Sequence, residues 1–153
     1  GAAVSEVSVN IHTGELKVQD VQILMDLGRP VMKELDIGQV SGAFIQGMGW
    51  VTTENLVYSE QGKLLSHSPS TYKIPSVQDI PRNFKIDLLH NDENIINVRG
   101  TKAVGEPPLL LALSVWTAVQ DAIKGVHKDF PAMMIPATQE QVLRSLYPEK
   151  FKD

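Results

Sequence analysis

The sequence predicts an α+β fold: an antiparallel or mixed sheet of two hairpins with helices packed on one face. Three observations carry this reading. Apolar residues alternate with polar ones over two regions that each contain a turn signal, and other apolar residues recur at helical spacing in two further regions. Strands and helices come in blocks rather than in strict alternation. The 153 residues match one ordinary domain, and a chain of this length buries roughly 70% of its unfolded surface. Residues 1–153 read as a single domain with no internal repeat.

The first hairpin comes from Val7, Val9 and Ile11, which alternate with Ser8, Asn10 and His12. Thr13-Gly14-Glu15 supplies a turn. Val21, Ile23 and Met25 then continue at period two, and Gly28-Arg29-Pro30 ends the strand. A helix comes next, in which Val40, Ala43, Phe44, Gly47, Met48 and Val51 share one face. Asp36 and Gln39 have the spacing of a capping box at its start. Gly38, Gly42, Gly47 and Gly49 each cost a helix about 1 kcal/mol relative to Ala. Close approach of another backbone or of a ligand is the usual compensation.

Two short strands are expected around Gln61-Gly62, and a long ordered loop over 66–83, with Pro69, Pro75 and Pro81. Phe84, Ile86 and Leu88 begin a second hairpin, which turns at Asn91-Asp92-Glu93-Asn94 and returns over 95–99. The strongest helix is the next element, with Ala112, Val115, Trp116, Val119, Ile123 and Val126 on one stripe. Ser114, Thr117, Asp121, Lys124 and Lys128 form its wet side. Phe130-Pro131 ends it, and Thr138 caps a short last helix with Gln141 three residues on. Phe44, Met48 and Trp116 fall on core-facing stripes and need no other role.

Apolar residues make up 42% of the chain and charged residues 21%, and the net charge is −4. Nothing in that balance favours nucleic acid or an anionic membrane. The absence of cysteine excludes disulfides, thiolate metal sites and Cys nucleophiles, and it fits a cytoplasmic protein. No segment approaches about 18 consecutive apolar residues, so no transmembrane helix is expected. The opening Gly1-Ala2-Ala3-Val4-Ser5-Glu6 reads as the start of a strand without Met. The expectation is therefore a fragment of a longer chain or a processed product.

Residues 101–108 carry the most chemical information. Gly105 frees the backbone, while Pro107 and Pro108 stiffen the chain after it. Residues before proline are pushed away from helical angles, so Glu106 is expected to be extended, a carboxylate on a rigid spur ahead of a helix. General-base catalysis needs such a mount, because proton transfer requires reach of about 3 Å. The competing reading is an acidic residue favoured by the helix dipole, worth about 0.3–1 kcal/mol. On local physics alone that structural role is the stronger one. No two of His12, His67, His90 and His127 stand at ligand spacing, so each reads as a solvated or core histidine.

Thr101-Lys102-Ala103-Val104-Gly105-Glu106-Pro107-Pro108, leading into an apolar helix, resembles the active-site segment of the molybdenum hydroxylases, the family of xanthine dehydrogenases and aldehyde oxidases. Gly1 to Val7, the glycine-rich run Asp36 to Gly49 and the loop Pro69 to Pro75 resemble further family segments in the same order. The similarity extends to about residue 128. Thr52-Thr53-Glu54-Asn55-Leu56, together with the Ser70-Thr71-Tyr72-Lys73-Ile74-Pro75 loop, is more similar to the xanthine dehydrogenase branch. Trp50 departs from the smaller apolar residue expected there.

The resemblance implies the C-terminal part of a molybdopterin-binding catalytic subunit. Its molybdenum is held by the pterin dithiolene, so no protein metal ligands are implied. Glu106 would be the catalytic base, assisting attack of a molybdenum-bound oxygen on hypoxanthine or xanthine, with hydride passing to the metal centre. Gln39, Lys102, Ala103 and Gly105 would contact the cofactor, and Val104 would line the substrate pocket. For Gln39 the capping role remains an equal alternative, and for Lys102 an ordinary solvated lysine.

The implied partners are the N-terminal remainder of the subunit, iron–sulfur and FAD modules and a purine, in a homo-oligomeric parent without nucleic acid or membrane. The fragment alone is expected to be inactive. Two alternatives stand beside this: a relative acting on aldehydes or other heteroaromatics, and a non-catalytic packing module. An enzyme fragment should carry Glu106 at a cleft edge opened by the missing half, whereas a packing module should have it solvated or salt-bridged.

Overall fold

The computed structural model describes residues 1–129 and 133–151. Its sheet is three-stranded and mixed. Strand β1 (Ala2–Val9) pairs antiparallel with β2 (Leu16–Asp26), and β2 pairs parallel with β3 (Asn83–Leu89). The long central strand β2 sets the core. Val21, Ile23 and Met25 are buried, while Gln22 and Leu24 between them are exposed. The period-two pattern thus gives one face to the helices and leaves the other bare.

The first hairpin forms as the alternation predicts. Its turn closes through Asn10 N–H to the Glu15 carbonyl at 2.9 Å, and Gly14 adopts φ 71°. A Cβ on Gly14 would lie 2.3 Å from the Gln139 carbonyl oxygen, so glycine is needed both for the turn and for its docking.

The second hairpin does not form. After β3 the chain does not return as a strand; Ile95 and Ile96 are 89% and 91% exposed. Two causes are visible. The Asn94 amide donates to the Gly100 and Thr101 carbonyls, closing a loop. Arg99 and Gly100 then take φ 56° and 71°, left-handed angles that cannot continue a ladder. The pair around Gln61-Gly62 shrinks to one bridge, Tyr58 with Leu64.

Helix α1 spans Lys33–Thr52 and supplies the helical part of the crossover that parallel strands require; the long loop supplies the remainder. Val40, Ala43, Phe44, Gly47, Met48 and Val51 are all buried, as their spacing predicts. Phe44 packs against Phe84 of β3, with ring centroids 5.4 Å apart and planes tilted by 45°. Full burial of side chains such as Phe44 and Val40 contributes about 1.5–3 kcal/mol each. The helix begins earlier than the capping-box spacing suggested. Met32 is the N-cap, without a side-chain bond, and Asp36 N–H already donates to the Met32 carbonyl at 2.8 Å. Asp36 lies inside the first turn and caps nothing.

The long loop contains a 3-10 turn over Val77–Asp79, closed by a capping box between Ser76 and Asp79. It returns to the end of α1 through Tyr72 Oη, which donates to Glu54 Oε2 at 2.6 Å, and through Pro75 against Gly49.

A 3-10 helix over Pro107–Ala112 leads directly into α2 (Leu113–Val126). By length and mean hydropathy, 1.3, this helical run is long and apolar enough to cross a bilayer. Here its inner stripe of Ala112, Val115, Val119 and Ile123 is buried in the core. Trp116 is only half-buried and Val126 is 56% exposed. Ser114 is not on a wet side: its Oγ lies 2.7 Å from Ser5 Oγ, tying α2 to β1. Helix α2 closes with His127 as C-cap; the expected stop at Phe130-Pro131 lies outside the described residues. Helix α3 (Gln139–Leu146) starts as predicted, with Thr138 Oγ1 accepting from Gln141 N–H at 3.3 Å.

Candidate functional site

The segment carrying Glu106 is fixed at both ends. At its start, Arg29 N–H donates to the Gly100 carbonyl and Lys102 N–H to the Leu27 carbonyl, both at 2.9 Å. The bridge between Gly28 and Thr101 lies between them. At its far end Pro108 is buried, and the Glu106 carbonyl accepts from Leu109 N–H at 3.0 Å. Here α1 crosses the 3-10 helix closely: a Cβ on Gly47 would lie 2.3 Å from the Leu109 carbonyl oxygen.

Glu106 is the N-cap of the 3-10 helix, with φ −103° and ψ −40°. The expected extended backbone is not adopted. Its carbonyl is needed to close the first 3-10 turn, and that requirement outweighs the preference set by Pro107. The side chain is exposed and makes no capping bond. Among the described residues it joins no ion pair.

Gln39 is exposed on α1. Its capping alternative fails, because Asp36 is inside the helix rather than at its start. Instead Gln39 meets Gly105, whose Cβ, if present, would lie 3.6 Å from Gln39 Oε1. Leu35, Gly38, Gln39, Gly42 and Gln46 are all exposed and form the outer stripe of α1. Gly38 and Gly42 face open space, with nothing within 4 Å of an added Cβ. Unlike Gly47 and Gly49, these two glycines gain no contact among the described residues to offset their helix cost.

Lys102 is neither a plain solvated lysine nor free to reach outward. Its ammonium lies 2.5 Å from Asp26 Oδ2. Ala103 is exposed, and Val104 is half-buried against the main core. The fold thus brings Gln39 and Gly105 together and turns the Lys102 ammonium aside.

Sequence reasoning missed Asp26. Its Oδ1 accepts from Gly28 N–H at 2.8 Å, and its Oδ2 accepts from Asn91 Nδ2 at 2.9 Å as well as from Lys102. Lys102, then the Gly28 amide and Asn91, hold its carboxyl at about 2. Asp two residues before Gly is an Asx-turn signal that finds the local bond but not the distant ones.

Neither of two clefts on the chain includes Glu106. One, of about 830 Å³, opens between the start of β2, the long loop and the start of α3, with Lys17, Thr52, Asp79, Arg82 and Glu140 on its walls. The other, about 450 Å³, lies within the long loop around His67 and Tyr72. Glu106 stands exposed at the surface, apart from both. The four histidines do not gather either, and among the described residues no three His, Cys, Asp or Glu side chains could hold a metal ion.

Comparison with known proteins gives a consistent result. The chain is 43% identical over 150 residues to the xanthine dehydrogenase/oxidase of Mus musculus, covering 93% of this chain and 11% of that one. It is 38% identical over 162 residues to xanthine dehydrogenase 1 of Arabidopsis thaliana, covering 97% and 12%. It therefore spans only 11–12% of the length of these relatives. Among solved structures, quinoline 2-oxidoreductase from Pseudomonas putida 86 superposes with a TM-score of 0.84 at 26% identity, covering 92% of this chain and 17% of that one. The aldehyde oxidoreductase from Desulfovibrio gigas does so with 0.75 at 26%, covering 93% and 15%. Residues 1–81 match the molybdopterin cofactor-binding domain. With more than half its length matched and its fold shared with molybdenum-enzyme structures, the chain belongs to the molybdopterin cofactor-binding domain family.

Proposed function

We propose that residues 1–153 are one domain, the C-terminal part of the catalytic subunit of a xanthine dehydrogenase-type molybdenum hydroxylase, with Glu106 as the base of its reaction. The purine assignment is carried by one observation. Identity is 43% to the mouse xanthine dehydrogenase/oxidase but 26% to the quinoline and aldehyde enzymes.

The residues present suit a bulky polar cofactor. Gly38 and Gly42 offer bare helix backbone that a Cβ would fill, and the Gln39 amide beside them carries both donors and an acceptor. In this reading Gln39, Ala103 and Gly105 hold the cofactor's edge and Val104 lines the substrate pocket, while Lys102, its ammonium held by Asp26, anchors the segment rather than the cofactor. When bound, the molybdenum–pterin group supplies oxygen transfer and takes up the electrons that the substrate releases. This chain's own part is proton transfer. The Glu106 carboxylate, exposed and without a capping bond, takes up the proton lost as the nucleophile adds to an electron-poor ring carbon. General-base catalysis of this kind contributes about 10²–10⁴ in rate.

The rest of the active site belongs to the remainder of the subunit, so the isolated chain is inactive in this reading. Iron–sulfur and FAD modules, a homo-oligomeric parent and a cytoplasmic location belong to the same proposal. Comparing kcat/KM of the full-length parent for xanthine, hypoxanthine, an aldehyde and quinoline tests the substrate. Preference for the purines supports the assignment, and preference for the aldehyde or quinoline overturns it.

A further inference from the structure

A carboxylate at the end of β2 contacts the start of the segment that carries Glu106. Asp26 accepts hydrogen bonds from three segments: its own strand end at Gly28, the loop after β3 at Asn91, and the Glu106 segment at Lys102. The last two partners lie 65 and 76 residues away in sequence. The backbone bond from Lys102 N–H to Leu27 runs beside these contacts. Beyond it, the next backbone donor along the segment that finds a backbone acceptor, among the described residues, is Leu109. Ala103 to Glu106 therefore span a gap between two anchors, with only Val104 packed on the core between them. The far anchor is rigid, made of Pro107, buried Pro108 and the Gly47–Leu109 contact. The near anchor is polar and depends on Asp26.

We propose that Asp26 is a positioning residue for Glu106: by holding Lys102 and Asn91 together, it fixes the near end of the Glu106 segment and thereby the carboxylate's location. This rests on the reading of Glu106 as the base. Partly exposed ion pairs contribute modestly to global stability, so the larger consequence is for local geometry. The pair is partly exposed, with side-chain exposures of 37% for Lys102 and 23% for Asp26. Misplacement of a catalytic group by about 1 Å costs on the order of 10²-fold in rate.

The test uses the full-length parent enzyme, normalised to molybdenum content, and reads kcat and KM for xanthine. Asp26→Asn is expected to lower kcat by about 10–100-fold with little change in KM. Lys102→Met, which removes the same contact from the other side, should do likewise and serves if Asp26→Asn fails to fold. Either change made in a Glu106→Gln background should have no further effect on kcat, because residues acting through one group are non-additive. Unchanged kcat in the single variants, or a full additional loss in the double variants, overturns the positioning role while leaving the base reading intact. A Glu106→Gln enzyme with undiminished kcat overturns the base reading itself, and the positioning role with it.

Discussion

The same substitution at two positions of α1 should have opposite signs. Gly42→Ala adds a methyl group where nothing lies within 4 Å. It gains the helix propensity of alanine, about 1 kcal/mol, and raises the melting temperature by about 2–4 °C for a chain of this size. Gly47→Ala makes the same gain, but its Cβ would lie 2.3 Å from the Leu109 carbonyl oxygen and 2.9 Å from Ala112 Cβ. The oxygen belongs to backbone beside buried Pro108 and has little room to yield, so the upper end of the usual overpacking cost, about 3 kcal/mol, applies. The net is a loss of about 2 kcal/mol, or roughly 4–8 °C. Urea titration and thermal melts monitored by far-UV circular dichroism on the 153-residue chain measure both. A Gly47→Ala chain as stable as its parent refutes the close crossing that mounts the Glu106 segment. A destabilised Gly42→Ala refutes the claim that this helix face is bare.

Two further outcomes rest on local chemistry. Asp26 has its carboxyl lowered from 3.8 to about 2, so the stability it contributes is present above about pH 4 and is lost as pH falls toward 2. Asp26→Asn should flatten acid unfolding in that window, and an unchanged acid profile contradicts the three-bond arrangement. Thr138→Ala should cost about 1 kcal/mol through the lost cap of α3, measured by urea titration, with no effect if the cap is not formed.

Patterns that depend on neighbours in sequence were readable. The buried face of α1 was visible because Val40, Phe44, Met48 and Val51 repeat at its own period. The Thr138 cap was visible because donor and acceptor lie three residues apart. The first hairpin was legible from alternation on either side of Gly14. Other features depended on long-range geometry. Ile95 to Val98 have strand composition, and nothing local reveals that the Asn94 amide closes a loop ahead of Arg99. The parallel partner of β3 is chosen by the core across Phe44 and Phe84.

The candidate site divided in the same way. Glu106 and its two prolines were legible as a motif, as was Gln39 within the glycine-rich helix. Its contact with Gly105 needed the fold. Asp26 gave only a local turn signal, because the residues that make it matter lie far along the chain. Gly38 and Gly42 were readable as costly, but only the fold separates them from Gly47, whose cost is offset inside the chain.

The central claim is that Glu106 moves the proton, and its most direct test is the anaerobic reduction of the full-length enzyme by xanthine in a single turnover. The Glu106→Gln enzyme, with a full complement of molybdenum, should be reduced about 10²–10⁴-fold more slowly, a barrier increase of about 3–5 kcal/mol. A molybdenum-replete Gln enzyme reduced as fast as its parent contradicts the account.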